Sequence, residues 1–73
     1  MGDFQLVITM EGGLIREVFA NSERIQVQIV DFDVEGADPS EITATPLGDE
    51  AVQRREFAKK NIKLVEEFFK QKL

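Results

Sequence analysis

The sequence predicts an α+β fold: a three-stranded antiparallel β-meander with one long C-terminal α-helix packed across one face. Three observations carry this. Apolar and polar residues alternate through the first third of the chain, and a Gly-Gly pair separates the first two alternating runs. After Asp49 the apolar spacing lengthens to that of a helix, with no proline or glycine to interrupt it.

The first strand, about residues 4–11, sets Phe4, Leu6, Ile8 and Met10 on one face and Gln5, Val7, Thr9 and Glu11 on the other. Gly12-Gly13 adopts the positive φ of a two-residue hairpin turn without steric cost. The second strand, 14–20, then pairs Met10 with Ile15, Ile8 with Glu17, Leu6 with Phe19 and Val7 with Val18. This register gathers Leu6, Ile8, Met10, Ile15 and Phe19 on one face, with Glu17 as the exception. The third strand, 25–33, follows a connection over residues 20–24, which sets Ile25 opposite Phe19 and Ile29 opposite Ile15 and extends the same face.

Residues 34–48 contain Gly36, Pro39, Pro46 and Gly48 and read as a long loop, with a single turn at Asp38-Pro39-Ser40-Glu41. The helix is expected over about 49–72, capped by Asp49. Ala51, Ala58, Ile62, Val65, Phe69 and Leu73 form one apolar line along it, and Phe57, Leu64 and Phe68 form a second.

Length and composition narrow the functions. The 73 residues make a single domain, 1–73, whose small size limits the surface it can bury. The chain holds neither cysteine nor histidine, which removes disulfides, soft-ligand metal sites and the usual nucleophile–base pairs. Ser22 and Ser40 stand beside acids in loops, which is ordinary turn chemistry. The expectation is therefore a non-enzymatic protein with no cofactor and no small-molecule substrate. The acidic start and its short apolar run fit neither a signal peptide nor a membrane span, so a cytoplasmic location is expected.

The net charge of −5 is divided unevenly. Residues 1–50 carry eleven acids against two bases, and residues 51–73 carry seven bases against three acids. Arg54, Arg55, Lys59, Lys60 and Lys63 cluster in the first half of the expected helix. They support an alternative function in nucleic-acid binding or, through the acidic half, nucleic-acid mimicry. Asp31, Asp33, Glu35 and Gly36 match the first half of an EF-hand loop. Ile42 stands where that loop needs its bidentate glutamate, so the same letters read better as the acidic, water-facing end of a strand. A weak divalent-cation site at Asp31, Asp33 and Glu35 is a second alternative.

The favoured function is protein–protein interaction or self-association. One helix covers one sheet face, which leaves Val7, Val18, Val30 and Phe32 on the other for a partner or for residues 33–48 to cover with Ile42 and Leu47, and the helix line Phe57, Leu64 and Phe68 exceeds what a small core hides. A homodimer meets both needs.

The runs "VITMEGGLIREVFA" and "IQVQIVDFD" resemble the opening of small bacterial and phage- or plasmid-associated proteins, in which an E-G-G hairpin precedes a V-x-V-x-V-x-D-x-D strand. The matching positions are Glu11, Gly12, Gly13, Ile25, Val27, Ile29, Asp31 and Asp33. The resemblance covers little more than half the chain and implies a prokaryotic cytoplasmic accessory protein, without transferring an activity.

Overall fold

The computed structural model describes residues 2–73. In chain order these form β1 (Leu6–Glu11), β2 (Leu14–Ala20), β3 (Gln26–Asp31), a 3-10 turn (Pro39–Glu41), β4 (Ile42–Ala44), β5 (Glu50–Phe57), β6 (Lys59–Lys60) and α1 (Ile62–Phe69). The fold is α+β, with two small sheets and a single helix. It divides into two compact units, Met1–Gln26 with Phe57–Leu73, and Val27–Glu56.

In the first unit Gly12 and Gly13 hold φ at 60° and 79°, as the hairpin turn requires. Next to the turn the register is the expected one, Glu11 opposite Leu14 and Met10 opposite Ile15. One step further Thr9 faces Glu17, Ile8 faces Val18, Val7 faces Phe19 and Leu6 faces Ala20, which leaves Arg16 as the extra residue of a β-bulge.

The bulge corrects the register predicted beyond it: Leu6 shares its face with Ala20, and Phe19 lies on the opposite face with Val7. Glu17 supplies the reason. An unbulged hairpin would project its carboxylate from the apolar face beside Ile8. The additional residue turns it to the far side, where it meets Lys59 Nζ at 2.7 Å. Val18 and Ala20 take the vacated positions, each 1% exposed.

α1 begins at Asn61, whose side chain accepts a hydrogen bond from the Leu64 N–H at 3.1 Å and whose own N–H donates to the Ala20 carbonyl at 2.9 Å. Eight residues are too few for a helix to persist alone in water. This one packs on β1 and β2. Val65, its one fully buried residue, joins Val18, Ala20 and Ala58 in the core of the unit. β6 runs parallel to β2, with Phe19 opposite Lys59 and Ala20 opposite Lys60. The strand order is β1-β2-β6, so β1 forms an edge.

The second unit is built on a sheet of order β3-β5-β4. Thr45-Pro46-Leu47-Gly48 closes the β4–β5 hairpin. The Thr45 carbonyl accepts from the Gly48 N–H at 3.0 Å, the Thr45 N–H donates to the Asp49 carbonyl at 2.9 Å, and Gly48 takes φ 98°. Ala51, fully buried, lies opposite Thr43, and Val52 opposite Ile42.

Three expectations are therefore corrected. The meander does not form, because β2 has β1 and β6 as neighbours while β3 belongs to the other sheet. The long helix over 49–72 contracts to Ile62–Phe69, and Glu50–Phe57 is a strand. Ala, Gln, Arg and Glu in that stretch are good helix formers, but the preference amounts to only a fraction of a kcal/mol per residue, and pairing with β3 and β4 outweighs it. The loop over 34–48 holds the expected turn at Pro39–Glu41 but also a strand, β4, that was not expected.

Val65→Ala should destabilise the fold by about 2 kcal/mol through lost burial and the cavity left behind. Thermal unfolding should show the melting temperature falling by about 10 °C. Gly13→Val should cost about 1–2 kcal/mol by forcing a branched side chain into left-handed backbone, whereas Gly12→Asn should be nearly neutral; chemical denaturation distinguishes the two.

Candidate interaction surface

Beyond the hairpin, the chain ahead of β1 is held by Asn21. Its Oδ1 accepts from the Gln5 N–H at 3.0 Å, its Nδ2 donates to the Asp3 carbonyl at 2.9 Å, and its own N–H donates to the Gln5 carbonyl at 3.3 Å. Both ends of the amide are used, and the strand direction continues back to Phe4.

This arrangement sorts the backbone as well as the side chains. Gln5 turns its N–H and carbonyl towards β2, so by strand alternation Val7 and Thr9 do the same. Leu6, Ile8 and Met10 turn theirs to the free edge. The same residues carry the apolar row: Phe4 is 79% exposed, Leu6 42%, Ile8 50% and Met10 63%. Sequence reasoning assigned this row to the core. The misplaced Glu17 was the available sign that the hairpin needed a bulge and that Val18 and Ala20 belonged inside.

The predicted interface residues are scattered differently. Val18 is buried, which removes it from any surface, while Val7 and Leu64 are half-buried. Phe57 and Phe68 are exposed in the first unit, and Val30 and Phe32 in the second.

The basic candidates do not share a helix face. Arg54 and Arg55 stand on β5 in the second unit, and Lys59 and Lys60 on β6 with Lys63 at the start of α1 in the first. Lys59 pairs with Glu17 and Lys60 with Glu23 at 3.3 Å, while Arg54 lies 3.5 Å from Glu56. Such exposed pairs contribute little stability, but they place an acid beside each of those bases. In the second unit Arg55 Nε donates to Gln28 Oε1 at 2.7 Å, Gln28 Nε2 to Gln53 Oε1 at 2.8 Å, and Gln53 Nε2 to Thr43 Oγ1 at 3.0 Å. This polar ladder crosses the sheet beside a shallow open depression of about 380 Å³ lined by Gln28, Gln53, Arg54 and Arg55.

The acidic candidates serve the backbone. Asp31 Oδ1 accepts from the Asp33 N–H at 2.9 Å, and Asp33 Oδ1 accepts from the Glu35 N–H at 3.3 Å. These are two successive side-chain turns. Among the described residues no three acidic side chains converge as a metal site. Asp38 repeats the motif at the 3-10 turn, taking both the N–H and the hydroxyl of Ser40 at 3.0 Å. The backbone hydrogen bond, and then the hydroxyl, hold its carboxyl below the ordinary value of 3.8.

Among the described residues no helix is long and apolar enough to cross a membrane. No protein-family model, curated protein or solved structure matches the chain.

A lowered carboxyl keeps its charge further into acid, so the support that Asp38 gives its turn is complete above the ordinary aspartate range and is lost as pH falls through the lowered value. The Ser40 amide resonance should titrate with a midpoint below 3.8, and Asp38→Ala should remove that transition.

Proposed function

We propose that the protein is a non-enzymatic interaction module, a cytoplasmic accessory protein of a prokaryote, whose working surface is the apolar row on β1. The observation that carries this reading is the coincidence of exposed Leu6, Ile8 and Met10 on one face of an edge strand, with Phe4 exposed just ahead of it. Scattered exposed apolar residues are normal in soluble proteins. A continuous row at every second position is different, because it is already laid out to receive another apolar surface. The row is open although Val18 and Ala20, on the same sheet face, are sealed.

The chemistry of the rest of the chain agrees. Catalysis at neutral pH needs a nucleophile or base with an altered affinity for protons, held in a cleft. The chain lacks histidine and cysteine. Asp31, Asp33 and Asp38 support turns, and Glu17 and Glu23 pair with lysines. The nucleic-acid alternative has less support, since Arg54, Lys59 and Lys60 each have an acid beside them. Binding through the row on β1 is therefore the favoured reading.

In an extract of the source organism, the chain carrying a C-terminal tag should migrate in a complex larger than itself. Ile8→Lys combined with Met10→Lys should shift it to monomer mass by native mass measurement. A wild-type chain that already runs as a free monomer would refute the reading.

A further inference from the structure

We infer that the partner of β1 is a second copy of this chain, added antiparallel along the free edge with Ile8 on the two-fold axis. This deepens the reading of the β1 row as the working surface and rests on it.

The first support is the backbone. Leu6, Ile8 and Met10 direct their N–H and carbonyl groups away from β2, and no strand among the described residues pairs with that edge. Such groups are a template for another strand. Edge strands that avoid pairing carry lysine, proline or an inward-pointing charge. The stretch from Phe4 to Met10 has none of these, and no charge of either sign.

The second support is register, which the acids flanking the stretch select. Outward-facing groups of two antiparallel copies meet only when even-numbered residues oppose even-numbered ones. Centring the pair on Val7 would set Asp3 directly opposite Glu11 of the second copy, a like-charge pair that destabilises the seam. Centring it on Ile8 sets Gln5 opposite Glu11 and Leu6 opposite Met10, with Ile8 opposite its own counterpart. Every side-chain pair on the exposed face is then apolar, and the contact is self-complementary, as a two-fold interface must be.

The seam is small. Leu6, Ile8 and Met10 meet apolar counterparts while Phe4 falls opposite Gly12. Side-by-side pairing covers only the facing flanks of these side chains and the backbone between them. The area is below about 1,000 Å², which suits a weak pair that forms at high concentration. Pairing also joins two three-stranded sheets into one of six, which removes an edge from each.

The test uses the purified full chain in sedimentation across micromolar to millimolar concentration, with amide hydrogen exchange by NMR. Mass should rise from one chain to two. The Leu6, Ile8 and Met10 amides should exchange about tenfold or more slowly in the concentrated sample, while Val7 and Thr9, turned towards β2, should hardly change on dilution. Ile8→Lys sets two positive charges face to face on the axis and should leave a folded monomer by circular dichroism. Met10→Lys, at a more exposed position, serves the same purpose should Ile8→Lys unfold. A chain that stays monomeric at every concentration, with those three amides freely exchanging, overturns the proposal. So does a dimer that survives both lysine variants or protects other amides. A purified monomer that nevertheless enters a larger complex in extract overturns self-pairing and leaves the interaction reading standing; loss of both removes both.

Discussion

One unpaired residue in β2 decides which side of the first sheet becomes interior. Arg16 adds a step to the strand, and every residue after it changes face relative to an unbulged hairpin. Without that step Glu17 would stand among Ile8, Leu6 and Met10, and burying its carboxylate against a helix would cost several kcal/mol or force it to take up a proton. With it, Val18 and Ala20 present small apolar side chains close to the backbone, and α1 settles on the strand pair through Val65. The Arg16 guanidinium meets the Glu11 carboxylate across the hairpin, so the inserted residue has a partner of its own in water.

Little is buried in either unit. Among the described residues the buried apolar side chains are Val18, Ala20, Ala58 and Val65 in the first unit and Ala51 in the second, and three of the five are alanines. Small side chains let elements approach closely, but each removes little apolar surface from water. The phenylalanines, which would contribute most, are mainly outside: Phe4, Phe32, Phe57, Phe68 and Phe69 are all exposed. Among the described residues, much of the hydrophobic composition thus stays in contact with solvent.

The parts of the structure legible in the sequence are those fixed by local geometry. Gly12-Gly13 demanded a turn, Asp38-Pro39 announced a capped one, and the period of two in Leu6–Met10 described a strand. What failed depended on non-local choices. The bulge at Arg16 has no local signature; its only trace was an acid on the wrong face. Glu50–Phe57 is written in residues that suit a helix, and it becomes a strand because Thr45-Pro46-Leu47-Gly48 folds it back on Ile42–Ala44. The true start of the helix, Asn61, was hidden within a longer apparent periodicity. Val18, expected on the other face, went inside through the one step of register, whereas Ile8 keeps the face expected of it and is exposed on the edge strand.

The hold that Asn21 keeps on the chain ahead of β1 has a chemical weak point. The side-chain amide acts as acceptor to Gln5 and donor to Asp3 at once, a pair of roles no other residue type of that length can fill. Hydrolysis of that amide, with water adding and ammonia leaving, would convert it to aspartate, replacing the donor with an oxygen aimed at the Asp3 carbonyl. Two acceptors repel, and the segment bearing Phe4 would lift from its place. Slow deamidation at one position would thus age the molecule from its N-terminal end, fraying the strand border while the turn and the helix stayed intact.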